Sequence, residues 1–264
     1  MMPSSWQRLS GLILQELYVT RHRLEIIVDT FFFPLINVIL FGYITHFIGT
    51  GGALNGQIFI VGVLWWQLLT VMQYNVTVSS MWNIWSHNLT NIFIAPISIG
   101  EYLLAGALSS ALRTVAIAVL LFLGAWVVFD FDVLSLGWAN MGLFTLNLLL
   151  FGCALGIAFL GVIFRFGVRI QAISWGAIYV IQPITAAFFP VAVLPGFLQV
   201  VAYALPPTYV FEAARQALNT PTVNWRYAGI AFVLNIGYVI LSLLLFRYFF
   251  KKSKQSGQFA RNDL

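Results

Sequence analysis

Residues 30–100 read TFFFPLINVILFGYITHFIGTGGALNGQIFIVGVLWWQLLTVMQYNVTVSSMWNIWSHNLTNIFIAPISIG, and these 71 residues between Asp29 and Glu101 contain no Asp, Glu, Lys or Arg. A helix crossing a bilayer needs about 20 mostly apolar residues, so the stretch is long enough for two crossings and too long for one. Clustered glycines break a helical pattern, and Gly49-Thr50-Gly51-Gly52 divides the stretch into predicted spans over 26–48 and 57–80. Outward from there, the same measure places a third span over 102–129, which takes in Arg113, and a fourth over 137–164, between Asp132 and Arg165. A fifth is expected over 170–189 and a sixth over 227–247, between Arg226 and Arg247.

Composition points the same way. Of 264 residues, 61% are hydrophobic and 8% charged, against about 25% charged in soluble domains. A globule in water could not cover that much apolar surface, and disordered, collagenous and coiled-coil chains are excluded by the same composition. A net charge of +5 would suit nucleic acid, but its placement argues otherwise. Arg8, Arg21 and Arg23 lie before the first span, and Arg247, Lys251, Lys252, Lys254 and Arg261 at the end of the last. That is how cytoplasmic flanks of membrane helices are charged. The single cysteine, Cys153, sits in an apolar run, so no disulfide within the chain is expected. The first residues, with one basic residue and a four-residue apolar stretch, do not read as a cleavable signal peptide.

The 42 residues between Arg169 and Glu212 carry Pro183, Pro190, Pro195, Pro206 and Pro207. They are read as one span to 189 and then a broken, re-entrant segment over 190–215. Such backbone is tolerated at membrane depth only where protein or a water-filled cavity surrounds it. A further full crossing would put the two basic ends on opposite sides, so the positive-inside bias predicts six crossings with both termini cytoplasmic. Before the first span, Trp6, Leu9, Ile13 and Leu17 recur at helical spacing with Arg8 elsewhere on the wheel, which predicts an amphipathic interfacial helix over 4–22. The expected fold is therefore one all-α integral membrane domain: six transmembrane helices, an N-terminal interfacial helix and a broken segment before the last span.

Candidate chemistry is sparse. Arg113, eleven residues into its span, reads either as facing a polar conduit or partner helix, or as snorkelling or paired with a backbone carbonyl. Asp130-Phe131-Asp132 has a spacing that can hold a metal-bound nucleotide sugar, but in a short external loop a solvated turn is the simpler reading. His22, His46 and His87 are scattered, with no metal-ligand spacing. Gly152-x-x-x-Gly156 would let another helix approach closely. Glu212 and Arg215 fall on one helical face just after Pro206-Pro207, residues suited to opening a helix. The phosphate-cradling G-x-x-x-x-G-K-[ST] is absent, so an ATP-driven activity would need its motor on another polypeptide.

Three segments carry a family resemblance: Pro34 to Gly42 after the interfacial helix; Asn88 to Ser98, ending Ala95-Pro96-Ile97-Ser98; and Leu205-Pro206-Pro207-Thr208-Tyr209 followed by Glu212 and Arg215. Together they resemble the permease subunits of ABC-2 type transporters, the branch of polysaccharide and drug exporters. The resemblance implies two permease copies beside each other, with two cytoplasmic nucleotide-binding ATPase subunits below that hold ATP and Mg; this chain would bind no cofactor or metal itself. Residues 83–96 would be the coupling helix, docking through Trp85, His87, Asn88, Leu89, Asn91, Ile92, Phe93 and Pro96, with Trp82, Trp85 and Phe93 as anchors. Here the chain departs from the family, whose coupling segment is usually charged, because Ser86 to Asn91 is neutral. The interface helix would present Trp6, Arg8, Leu9, Ile13 and Leu17, and residues 190–215, with Pro206, Pro207, Glu212 and Arg215, would form an external gate. Trp65, Trp66, Tyr74, Trp175 and Tyr179, with Arg113, are candidates to line the conduit. The implied function is alternating-access export of an amphipathic or lipid-linked substrate, a glycan or a drug, across the cell's inner or plasma membrane. Two other readings compete: an ion-driven secondary transporter using Asp29, and a membrane enzyme acting on lipid-linked sugars through Asp130 and Asp132.

Overall fold

A computed structural model describes residues 4–49, 53–86 and 88–257. Its helices are α1 (Ser5–His22), α2 (Leu24–Ile27), α3 (Phe33–Gly49), α4 (Ala53–Trp85), α5 (Leu89–Ile94), α6 (Ile99–Phe129), α7 (Trp138–Phe166), α8 (Ile173–Ile181), α9 (Gly196–Tyr203), α10 (Pro206–Asn219) and α11 (Trp225–Gln255). Among the described residues there is no strand. Five helical stretches are long and apolar enough to cross a membrane: Leu24–Thr45, Gly56–Trp85, Ile99–Phe129, Trp138–Phe166 and Trp225–Gln255. Each overlaps one of the six spans expected from sequence. His87 and the Thr50 to Gly52 turn lie outside the described residues.

The bundle is built around α4, whose apolar window is 78% buried against 22–56% for the others. Small residues bring its neighbours close. A Cβ on Gly152 would lie 2.9 Å from the Leu69 carbonyl, and one on Gly156 2.7 Å from Val76. The Gly152-x-x-x-Gly156 stripe is thus used within the chain, seating α7 on α4, and not for contact with a second copy. Gly161 repeats the device against Phe246 of α11, and Asn235 Nδ2 donates across the α7–α11 seam to Asn147 at 3.0 Å.

Helix α1 lies parallel to the start of α6. Arg8 pairs with Glu101 at 2.7 Å, and twelve residues on along both helices Arg113 donates to Thr20 at 2.9 Å. At 31 residues, α6 is about 46 Å long against a hydrocarbon core of about 30 Å. Its polar residues (Glu101, Tyr102, Ser109, Ser110, Arg113 and Thr114) all fall in the first half, and residues 115–129 are apolar or glycine. The surplus length is therefore at the α1 end, which moves Arg113 from the middle of the membrane toward its edge.

The expected continuous span over 170–189 is corrected: the helix there covers only Ile173–Ile181. Pro183 lacks the amide needed to continue the ladder, and turns follow to residue 189. The segment nonetheless follows α4 over a long distance. Ser174 Oγ lies 3.1 Å from Met81 Sδ, while the Ala187 carbonyl lies 2.2 Å from where a Cβ on Gly62 would be. Met81 and Gly62 are about 28 Å apart along the helix, so a short helix and irregular chain together cover nearly a membrane thickness. Helices α9 and α10 then fold back beside it, with Pro206 and Pro207 opening α10.

Candidate functional site

Where α3, α4 and α8 meet, a cavity of about 260 Å³ is lined by Asp29, Phe33, Asn37, Gln67, Thr70, Gln73, Tyr74, Trp175 and Tyr179, among others. The backbone that presents Asp29 is unusual. Residues Val28–Phe32 form one π-helical turn, and Pro34 stands just beyond it. Proline has no amide to bond the carbonyl four residues back, and its ring crowds that carbonyl; the wider turn makes room. π-turns are frequent at functional sites, and this one sets Asp29 to accept a hydrogen bond from the Tyr74 hydroxyl. One residue on, buried Thr30 donates to Asn75 Oδ1 at 3.0 Å, fixing the turn to α4. Gln73 Nε2 donates to Thr77 Oγ1 at 3.1 Å and to the Ser174 carbonyl at 3.2 Å, tying α4 to α8. The mouth is aromatic: Phe33, Trp175 and Tyr179 are 52%, 39% and 52% exposed.

Of the residues expected in a conduit, the structure brings Tyr74, Trp175 and Tyr179 together here. Trp65 belongs elsewhere. It is fully buried, with ring centroids 5.3 Å from Phe122 and 5.8 Å from Phe144. Trp66 is likewise buried, near Phe211 at 6.5 Å. Arg113 does not line the cavity either. Its guanidinium bonds the Ser109 carbonyl at 3.3 Å, Thr20 at 2.9 Å and Ser110 at 3.4 Å, and faces Glu16 at 4.0 Å. Burial raises the Glu16 carboxyl above its ordinary range, against the opposing pull of Arg113. Glu16 also lies 3.5 Å from Asn83 Nδ2, which reaches the Tyr102 hydroxyl at 3.2 Å. This polar junction ties α1, α4 and α6 together.

At the other end of α4, Glu212 accepts from the Val191 amide at 2.8 Å and from Arg215 at 2.9 Å. Arg215 also donates to the Ala186 carbonyl at 3.0 Å. Ala186 has φ of 53°, a left-handed conformation that costs an alanine about 1 kcal/mol. Glu212 and Arg215 therefore clamp the strained 186–191 stretch onto α10. Pro206 and Pro207 are buried at the start of that helix.

The six-residue α5 is bounded by the Ala95-Pro96-Ile97-Ser98 segment for physical reasons. Pro96 follows its end, and Ser98 caps α6 reciprocally with Glu101. Leu89 and Ile92 are buried, and Phe93 packs 5.5 Å from Tyr102 and 5.9 Å from Phe250. These three, expected to face a partner, face inward. Trp82 is covered by Arg23 at 4.9 Å and meets Trp85 at 5.0 Å. Asn91, Ile94 and Pro96 point out of the bundle, Ile94 at 76% exposure. On α1, Leu12 and Thr20 are buried while Trp6, Leu14 and Tyr18 are exposed; Leu9, Ile13 and Leu17 are half-buried at the edge of the contact.

Asp130 ends α6 in a left-handed conformation, and Asp132 accepts from the Leu134 amide at 2.9 Å, so both residues of that motif close a turn. Among the described residues no group of three His, Cys, Asp or Glu could hold a metal ion. The sequence reading missed Gln67 and Gln73 as lining residues and Ile94 as the outward residue of α5. Gln67, Thr70, Gln73 and Tyr74, at helical spacing along one side of a mostly apolar span, were the available signal for the first pair.

A family model described as ABC-2 type transporter matches residues 9–219, about four-fifths of the length. No curated protein matches the chain.

Proposed function

The chain belongs to the ABC-2 type transporter family, and from that membership we propose that it is the permease half of an exporter that carries an amphipathic or lipid-linked substrate, glycan or drug, out of the cytoplasm. It is a multi-pass membrane protein and an ABC transporter permease without ATPase motifs of its own, of the kind that works with a partner ATPase subunit. The observation that carries the finer reading is the cavity between α3, α4 and α8, where Asp29, Gln67 and Gln73 stand behind an aromatic mouth within an apolar bundle. Polar lining in a membrane domain marks a path for cargo.

In this reading two copies face each other across the cavity mouths, and two ATPase subunits, binding ATP and Mg, sit beneath α5. The chain crosses the cell membrane six times with both termini cytoplasmic, the segment over 173–189 making the fifth crossing beside α4. Helix α1 lies at the cytoplasmic headgroup level with Trp6, Leu14 and Tyr18 turned to lipid. The outward residues of α5, Asn91, Ile94 and Pro96, meet the motor, while its inward Phe93 passes movement to Tyr102 and α11. Motor closure does work here only through contacts that differ between the inward-open and outward-open states. The Glu212–Arg215 clamp holds the outer gate.

Purification of the tagged chain from native membranes in mild detergent tests this. A stoichiometric P-loop subunit with vanadate-sensitive ATP hydrolysis is the expected result. A chain that comes down alone, under conditions that preserve complexes, would contradict it and turn attention to ion-driven transport through Asp29.

A further inference from the structure

We propose that Asp29 and the oxygen atoms around it form a cation-selective subsite that takes the ammonium group of an amphipathic cargo. That the occupant is cargo rests on the exporter reading; the chemistry rests on the cavity alone.

Charge is the first argument. Asp29 lies within the apolar stretch Leu24–Thr45, and among the described residues the ion pairs are Arg8–Glu101, Arg113–Glu16 and Arg215–Glu212. The Arg113 guanidinium is committed to Thr20, Ser109 and Ser110. No Lys or Arg lines the cavity. A carboxylate in such a place is costly without a counter-charge.

Hydrogen-bond valence is the second. The Tyr74 proton goes to Asp29. The amide nitrogen of Gln73 is spent on Thr77 and Ser174, and Thr70 donates to the Trp66 carbonyl at 2.9 Å. Gln73 is fully buried, yet its Oε1 has no partner. At the wall itself Asp29 and Tyr74 still offer oxygen lone pairs, which call for a donor-bearing ligand, and the Asn37 and Gln67 amides offer both an acceptor and donors. Phe33, Trp175 and Tyr179 at the mouth add faces that attract a cation and bodies that fit its apolar part. A phosphate or carboxylate would meet the Asp29 charge with no Lys or Arg on the wall to offset it. A neutral polyol would fill the hydrogen bonds and leave the charge unbalanced.

The test uses the full chain in lipid nanodiscs without any ATPase, measuring saturable binding above empty discs of octylammonium, octyl glucoside and octyl phosphate. Octylammonium is expected to bind at least about tenfold more tightly than octyl glucoside, with octyl phosphate weakest. Asp29→Asn should remove about tenfold of the octylammonium affinity and leave octyl glucoside unchanged, while Asp29→Glu retains most of it. Equal binding of glucoside and ammonium, or an Asp29→Asn variant that binds ammonium normally, would overturn the subsite. Should Asp29→Asn fail to fold, the three-ligand ranking on the natural chain decides. Absence of a partner ATPase would count against the exporter reading without touching this result.

Discussion

Arg113 Nη1 donates to Thr20 Oγ1 at 2.9 Å while Nη2 stands 4.0 Å from Glu16 Oε2, so the one basic residue inside the third span is met by the helix that precedes the first. Removing the guanidinium strands a buried carboxylate, which costs on the order of 3 kcal/mol. Arg113→Met is therefore expected to lower the detergent-solubilised melting temperature clearly. Adding Glu16→Gln to it should recover most of the loss, because the stranded charge disappears. Additive losses in the double variant would show that the two residues do not interact.

Glu16 also gives stability a pH dependence. Burial raises its carboxyl in the folded chain, so the folded state binds the proton more tightly than the unfolded one. Its contribution is full below the ordinary carboxylate value and is lost as pH climbs through that value toward the raised one. The difference in melting temperature between the natural chain and Glu16→Gln should change across this window and level off above it. A difference that stays constant with pH contradicts the burial of Glu16.

Gly62 is where the irregular 182–189 stretch comes closest to the α4 backbone. A Cβ there would sit 2.2 Å from the Ala187 carbonyl, a backbone atom that cannot swing aside. Gly62→Ala should displace the 182–189 stretch at a cost of about 1–3 kcal/mol, with faster proteolytic nicking between 182 and 195. Unchanged nicking would mean that the segment is not held there.

The Glu212–Arg215 clamp predicts a graded series. Arg215→Met loses both the Ala186 carbonyl and Glu212, and about 2–3 kcal/mol is expected for the buried partners left behind. Arg215→Lys, which keeps the charge but not the fork, should fall between it and the natural chain. Melting curves of the three proteins check the order.

On α5, inward and outward positions should behave differently. Leu89→Glu puts a charge at a fully buried site and is expected to abolish folded protein. Ile94→Glu, at an exposed site, should leave melting within about 0.5 kcal/mol of the natural chain and yet reduce recovery of the ATPase subunit. Normal recovery would remove Ile94 from the docking surface.

Much of this architecture is legible in the chain itself, because membrane spans announce themselves as charge-free runs of fixed length. The Asp29 to Glu101 stretch alone supplies two helices and the short helix between the second and third spans. The prolines from 183 to 207 announce a break but not its path, since whether broken backbone lies beside α4 is a matter of Gly62 and Ala187 meeting, residues 125 apart in sequence. The place of Arg113 was equally hidden, because it depends on the register of α1 against α6. Aromatic residues were the least readable. Trp65 and Trp175 both sit in apolar runs, and only packing sends one between two phenylalanines and the other to a cavity mouth. The role of Asp29 is equally set by packing, since the π-turn aims it at Tyr74.

The central claim, that the Asp29–Tyr74 cavity is opened alternately to the two sides of the membrane by a motor, is tested most directly by labelling. With Cys153→Ser removing the only cysteine, Thr70→Cys places a thiol on the cavity wall. A membrane-impermeant maleimide added from outside to cells or sealed vesicles should label it when the ATPase is trapped with ATP and vanadate, and should label it far less in the nucleotide-free state. Labelling from outside that is indifferent to nucleotide would contradict the account.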